Sequence, residues 1–180
     1  SDSTAPVLQT AATSVDGKTI VLTYDETLGA STTMPAAGAF SVTSDGVAVV
    51  VSSVARGLDG KSVVLTLATA ITGLKTAAVS YTAPAAPAAG TLDLTLATRD
   101  LSGNHAASFS AQPVTVIDTT APTVLSGNAY TTADATVLVL NASEALLDSQ
   151  VPAPSAFTVM LDNKSNPVTA VSVVGTQVRL

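Results

Sequence analysis

The sequence DTTAP at residues 118–122 repeats the sequence DSTAP at residues 2–6 almost letter for letter. The two prolines, Pro6 and Pro122, lie 116 positions apart, which is about the length of one compact β-sandwich domain. We therefore interpret residues 1–117 as one complete repeat and residues 118–180 as the N-terminal half of a second repeat. The half repeat is expected to be truncated or to be completed by a neighbour.

Two further correspondences support the repeat. The sequence VLTYDETL at residues 21–28 corresponds to VLNASEAL at residues 139–146, and PAAGAF at residues 35–40 corresponds to PAPSAF at residues 152–157. The second copy reaches Leu180 at about the point where the first copy reaches Leu65. The sequence therefore predicts about half of the second unit in this chain.

Composition excludes several classes of protein. A hydrophobic content of 47% with only 11% charged residues predicts a folded chain, since disordered chains combine low hydrophobicity with high charge. The net charge of −6 and the lack of a basic stripe exclude nucleic acids and anionic membranes as partners. With no cysteine, disulfide frameworks, thiolate zinc sites and cysteine nucleophiles are excluded. We expect neither a signal peptide nor a membrane-inserting segment, and interpret the chain as a piece of a longer, processed protein.

Short apolar runs that alternate with polar residues recur between turn signals, and this pattern predicts an all-β chain. Asp-Gly pairs at residues 16–17, 45–46 and 59–60 mark hairpin turns. The segment APAAPAAG at residues 83–90 is expected to be a long connection, because proline donates no ladder hydrogen bond. Leu92, Leu94 and Leu96 alternate with Thr91, Asp93 and Thr95, which predicts an extra strand or the arm of a hairpin. Core strands are predicted over residues 7–13, 18–24, 40–43, 47–55, 62–68, 77–82 and 106–116.

Seven core strands with this spacing of turns favour an immunoglobulin-like antiparallel β-sandwich in tandem. If the strands alternate in direction, the N-terminus, the end of the second strand and the loop before the last strand share one pole of the sandwich. Several oxygen-bearing side chains are then expected to converge there, as a weak Ca²⁺ site with a Kd on the order of 10⁻⁴ to 10⁻³ M would need. They are Asp2, Asp25, Glu26, Asp100 and Asn104, with Asp118 and Glu144 near the equivalent pole of the second repeat.

A structural interpretation competes with calcium at these positions. Residues 100–104 make a good turn, since glycine and asparagine tolerate positive φ, and Glu26 could simply be solvated at a strand end. Catalysis is not expected: His105 is the only histidine, and it follows an exposed turn where nothing suggests an orienting carboxylate. Phe40 and Phe157 occupy equivalent strand positions and are expected in the core rather than on a carbohydrate platform.

A family resemblance appears when the recurring sequences are taken together. They are DSTAPVL (2–8), DTTAPTVL (118–125), VLTYDETL (21–28), AFSVTSDG (39–46), VSYTAP (79–84) and DLSGNHAASFSAQPVTV (100–116). Their order and spacing resemble the SwmB-type repeats, bacterial immunoglobulin-like modules of very large secreted and cell-surface proteins. The resemblance implies a surface role in tandem arrays, with no catalytic activity attached to the repeat.

We therefore predict a non-enzymatic structural module of an extracellular or cell-surface protein, acting as spacer, scaffold or adhesive stalk and stiffened by calcium. Its expected partners are the neighbouring repeats of the same protein and further copies of itself. Two alternatives stay open. One is an adhesin that binds a glycan or protein through the loop at residues 83–105; the other is a filament or surface-layer subunit joined by strand addition.

Overall fold

The computed structural model describes residues 2–88 and 92–180. It divides into two compact units, unit 1 over Ser1–Thr119 and unit 2 over Thr120–Leu180. The end of the predicted connection at residues 83–90, together with Thr91, lies outside the described residues. Paired strands are antiparallel in both units, which confirms the all-β prediction. The helical elements are short 3₁₀ turns, at Ser31–Thr33, Ala37–Ala39 and Pro154–Ala156. None of the helices described has the length and apolarity required to span a membrane.

The described part of unit 1 forms two four-stranded sheets, with strand orders β1-β2-β6-β5 and β4-β3-β7-β8. The immunoglobulin-like assignment stays an interpretation, to which these orders conform. The strands are β1 (Leu8–Thr13), β2 (Thr19–Tyr24), β3 (Phe40–Ser44), β4 (Val47–Val49), β5 (Val51–Arg56), β6 (Ser62–Leu67), β7 (Ala77–Tyr81) and β8 (Phe109–Val114).

One core lies between the two sheets of unit 1. Period-two alternation turns every second side chain of β2, β3, β6 and β7 inward, so that one face of each sheet is apolar. Phe40 on β3 and Tyr81 on β7 are register partners whose rings stack with centroids 4.8 Å apart. The buried strand residues of this core include Ile20, Leu22, Tyr24, Phe40, Val42, Val63, Leu65, Leu67, Val79 and Tyr81.

The predicted bounds of three elements of unit 1 were wrong. The valine-rich run at residues 47–55 is two strands: β4 pairs with β3, and β5 pairs with β6 in the other sheet. Residues 92–98 form no strand; instead the amide of buried Ala97 donates to the carbonyl of Thr33 over 2.9 Å. The last strand covers only Phe109–Val114 of the predicted residues 106–116. Uniform β-propensity marks a segment as extended but does not choose its partner, which long-range packing decides.

Unit 2 repeats part of this topology. Its four-stranded sheet has the order β13-β14-β10-β9, and β11 pairs with β12 as a separate hairpin. By the sequence correspondence, this order reproduces β5-β6-β2-β1 of unit 1, and the hairpin reproduces β3-β4. The strands are β9 (Tyr130–Thr131), β10 (Leu138–Asn141), β11 (Val159–Leu161), β12 (Lys164–Asn166), β13 (Ser172–Val174) and β14 (Gln177–Arg179).

Candidate functional site

Three carboxylates from distant parts of the sequence meet in unit 1. One oxygen each of Asp2, Glu26 and Asp100 lies within 4.8 Å of the others. Asp2 precedes β1, Glu26 follows the end of β2, and Asp100 lies in the loop before β8. Asp2 is exposed, Glu26 is half-buried and Asp100 is buried. We call these three residues the acidic cluster; whether it binds a cation stays a prediction.

Asp100 is held in place by the turn that follows it. Its Oδ1 accepts hydrogen bonds of 2.8 Å from the backbone amides of both Ser102 and Asn104. Its Oδ2 accepts one of 2.7 Å from the Nδ2 of Asn104, which also donates to the carbonyl of Asp2 over 3.2 Å. Asn104 therefore ties the N-terminal segment to the turn as a hydrogen-bond donor.

Glu26 experiences the negative charge of the cluster. Its partial burial raises the pKa of the Glu26 carboxyl above the ordinary value, and the charges of Asp100, Asp2 and Asp25 raise it further, against a smaller opposing effect of Lys61. Both desolvation and like charge disfavour the ionised form. A cation among these oxygens would relieve the repulsion.

The structure places the remaining predicted ligands in other environments. Asp25 is exposed, and its Oδ1 accepts a hydrogen bond of 2.9 Å from the amide of Val7. Asp118 belongs to unit 1 and Glu144 to unit 2, and each is half-buried. The acidic cluster thus comprises three of the predicted carboxylates with Asn104 beside them, while a role for Asp118 and Glu144 stays a prediction.

A second group of charged residues lies in the loop between β7 and β8. The Oδ2 of Asp93 lies 2.6 Å from the Nε2 of His105 and 2.5 Å from the Nη1 of Arg99. The same Arg99 nitrogen donates to the Asp93 carbonyl over 3.2 Å, and the amide of Thr95 donates to Oδ1 of Asp93 over 2.8 Å. We call this group of three residues, Asp93, Arg99 and His105, the Asp93 clasp.

The clasp is largely shielded from solvent, since the three side chains are between 9% and 19% exposed. The hydrogen bond from His105, followed by those from Thr95 and Arg99, holds the pKa of the Asp93 carboxyl well below its usual range. The ionised carboxylate and its partners therefore form one locally neutralised unit that closes the loop.

This partner of His105 was not predicted from the sequence. No orienting carboxylate was expected there, but Asp93, twelve positions upstream, is one. The available signal was the alternation of Asp93 and Thr95 with leucines, which places both polar residues on one face of the segment but leaves open which face turns inward. Among the described residues, neither ring nitrogen of His105 contacts a hydroxyl group, because Nε2 meets Asp93 and Nδ1 is buried without a hydrogen-bond partner. The nucleophile-to-base contact of a serine triad is therefore not formed there.

Solved structures that resemble the chain include two of the bacterial S-layer protein SbsC. The N-terminal part of SbsC is 15% identical, with a TM-score of 0.48, and the match covers 76% of this chain and 31% of that chain. A structure of SbsC domains 1–6 is 16% identical, with a TM-score of 0.48, over 77% of this chain and 18% of that one. This chain therefore spans less than a third of either SbsC chain. No curated protein matches the sequence significantly.

A family match covers most of the chain. The SWM_repeat family, whose description is "Putative flagellar system-associated repeat", matches residues 1–86 and 117–180. Each matched segment opens next to one of the two Asp-x-Thr-Ala-Pro sequences, while the Asp93 clasp, Asp100 and Asn104 lie in the unmatched residues between them. The predicted membership of a tandem repeat family is confirmed: the chain belongs to the SWM_repeat family.

Proposed function

We propose that this chain is a non-enzymatic structural module of a large extracellular or cell-surface protein, and that it acts as a spacer, scaffold or adhesive stalk. The observation that carries the proposal is the internal repetition of one architecture, in which sheet order β13-β14-β10-β9 reproduces β5-β6-β2-β1. Tandem copies of a self-contained module extend a protein along one direction, and each copy adds length without new chemistry.

Two clefts in the described part of the chain are of modest size. One cleft in unit 2 has a volume of about 280 Å³, and one in unit 1, lined by Pro6, Tyr24 and Phe109 among others, has about 250 Å³. Pockets that enclose small molecules usually range from about 300 to 1,000 Å³. Neither cleft contains the Asp93 clasp or the acidic cluster.

In a spacer, the junction at residues 118–122 should resist bending. Proline fixes φ and biases the preceding residue towards extended geometry, so Ala121 and Pro122 have few conformations available. We expect spin labels at Leu58→Cys in unit 1 and Met160→Cys in unit 2, both exposed positions, to give a narrow distance distribution. The added changes Ala121→Gly and Pro122→Gly should broaden that distribution.

The control for this measurement is Pro152→Gly, the same substitution at an exposed loop position of unit 2. It should leave the distance distribution narrow. If the unmodified junction gives a distribution as broad as the glycine variant, the chain does not act as a stiff spacer.

Calcium binding is the finer part of the proposal. Ca²⁺ prefers six to eight oxygen ligands, and the three carboxylates of the acidic cluster, with backbone carbonyls and water, offer the beginning of such a set. Burial, and after it the charges of Asp100, Asp2 and Asp25, raise the pKa of Glu26, and a bound cation would offset this preference for the neutral form. Titration calorimetry should detect Ca²⁺ binding that Glu26→Gln weakens and Asp16→Asn, in a turn outside the cluster, leaves unchanged. Equal heats of Ca²⁺ binding for the unmodified protein and both variants would contradict a calcium site at the acidic cluster.

Strand addition is the second candidate function. In unit 1, Val42 and Ser44 on β3 are buried where β3 pairs with both β4 and β7. On the corresponding β11, which pairs only with β12 in the described part of the chain, Val159 is half-buried and Leu161 is 64% exposed. A strand that pairs with β11 as β7 pairs with β3 would cover them. Light scattering measures the average mass of the particles in solution. A mass that rises with protein concentration, and that no longer rises in Leu161→Lys, would support assembly by this route.

The adhesin alternative depends on the loop at residues 83–105. A glycan platform would need exposed aromatic rings, but Phe40, Tyr81 and Phe109 pack against one another at the core instead. Binding on a glycan array that is lost when residues 92–96 are replaced by glycine and serine would favour the adhesin over the spacer.

A further inference from the structure

An exposed row of leucines runs along the loop between β7 and β8. Leu92, Leu94 and Leu96 are 81%, 79% and 52% exposed, whereas Asp93 and Thr95 between them are half-buried. Because exposure alternates with position, the three large apolar side chains lie on one side of the segment and its two polar side chains on the other. A contiguous apolar surface of this kind marks an interaction site more often than isolated exposed leucines do.

The protein holds this row outward at both ends. Asp93 faces inward against Arg99 and His105, and it also accepts the hydrogen bond from the Thr95 amide. Ala97, which follows the row, is fully buried, and its amide is bonded to the carbonyl of Thr33. The leucines are therefore exposed because their polar neighbours are anchored beneath them.

The sequence of the row is self-complementary. In LDLTL at residues 92–96, an antiparallel second copy centred on Leu94 places Leu94 against Leu94 and Leu92 against Leu96. Asp93 and Thr95 lie on the opposite side of the row, so their side chains stay outside the contact, and each Asp93 stays neutralised by its own clasp. This is the requirement of an isologous interface, in which the same patch of both subunits meets across a two-fold axis.

We propose that two copies of this chain associate through face-to-face packing of their leucine rows, antiparallel and with Leu94 at the two-fold axis. The contact goes beyond the proposed structural role, because it joins modules sideways rather than along the polypeptide. Stable complexes typically bury at least about 1,200 Å² of total accessible surface. An interface of three leucines from each copy is smaller than this, so single modules associate weakly. Arrays that carry many such rows would gain strength through multivalency.

Cysteine cross-linking tests the contact directly, because the natural chain contains no cysteine. Under mild oxidation, Leu94→Cys should form a disulfide-linked dimer at least about tenfold faster than Leu58→Cys, since local concentration at a formed contact exceeds that of random encounter. Leu58 is the matched control, a fully exposed leucine in the turn between β5 and β6. A mixture of Leu92→Cys and Leu96→Cys should cross-link faster than either variant alone.

Sedimentation velocity supplies an independent readout. The average mass of the unmodified protein should rise with concentration, Leu94→Asp should abolish that rise, and Leu58→Asp should preserve it at an unchanged thermal midpoint. Equal cross-linking rates for Leu94→Cys and Leu58→Cys, or a protein that stays monomeric up to about 1 mM, would overturn the proposal. Faster cross-linking of Leu92→Cys with itself than with Leu96→Cys would overturn the antiparallel arrangement. None of these outcomes bears on the stiffness of the junction at residues 118–122, so the spacer role is tested separately.

Discussion

The Nε2 of His105 lies 2.6 Å from the carboxylate of Asp93, and this contact joins two residues that are twelve positions apart in the segment between β7 and β8. Arg99 meets the same carboxylate oxygen, so that one acid anchors two basic side chains. The clasp lies in the part of unit 1 that the family match does not cover. It holds Asp93 inward, so that Leu92 and Leu94 on either side of it are exposed.

The clasp should contribute to the pH dependence of thermal stability. Because the pKa of Asp93 is lowered in the folded protein, its ionised form stabilises the fold above the unfolded pKa of about 3.9. That contribution is lost as the pH falls through the lower, folded-state pKa. We expect Asp93→Asn to flatten the fall of the thermal midpoint between about pH 5 and pH 2.

Hydrogen exchange identifies which part of the chain is destabilised when the clasp is removed. Asp93→Asn should increase the exchange of amides in residues 92–105 at neutral pH. Asp45→Asn is the control, since the amide and hydroxyl of Thr76 lower the pKa of Asp45 in a different turn. The same acid sensitivity in the protein with and without Asp93 would show that the clasp does not stabilise the fold.

The Glu26 carboxyl should affect the pH dependence of stability in the opposite direction to Asp93. A carboxyl whose folded pKa is raised contributes stability below its unfolded pKa, and that stability is lost as the pH rises through the folded-state value. In the presence of chelator at pH 7, Glu26→Gln is therefore expected to raise the thermal midpoint. A lower midpoint for this variant in chelator would mean that the carboxylate is stabilised by a contact other than a cation.

A buried phenol makes a testable contribution to the core. Tyr81 is 1% exposed, and its hydroxyl oxygen accepts a hydrogen bond of 3.1 Å from the amide of fully buried Thr98. Tyr81→Phe leaves that amide without its acceptor, which should cost about 1–3 kcal/mol in the free energy of unfolding. Tyr130→Phe, at a 49% exposed position, should change it by less than about 0.5 kcal/mol. Urea unfolding of both variants measures the difference.

Gly17 tests the geometry of the first hairpin turn. Its φ is +67°, and a Cβ at this position would lie 2.1 Å from the carbonyl oxygen of Ile71. Gly17→Ala should therefore lower the free energy of unfolding by about 3 kcal/mol, through both backbone strain and a steric clash. Gly73→Ala is the matched control, because Gly73 has φ +74° with no atom within 4 Å of the added Cβ. It should cost only about 1 kcal/mol, and equal losses would show that the clash is relieved by movement of Ile71.

Local patterns in the sequence were enough to predict most strands. The alternation of Ile20, Leu22 and Tyr24 puts every second side chain on one face, and all three are buried. The Asp-Gly turns were also readable, since the Asp16 and Asp59 side chains each accept hydrogen bonds from amides within three residues of their own position. These interactions join residues close in the chain, so composition and spacing specify them.

Contacts between distant residues required the tertiary structure. The sequence by itself determined the repeat, the all-β class and the family. The approach of Glu26 to Asp100 was also expected, from core strands that alternate in direction. Only the folded chain divided the valine-rich run between two sheets at Val50 and paired His105 with Asp93. In each case several partners satisfy the same local preference, and the choice among them depends on which arrangement closes the shared core between the two sheets.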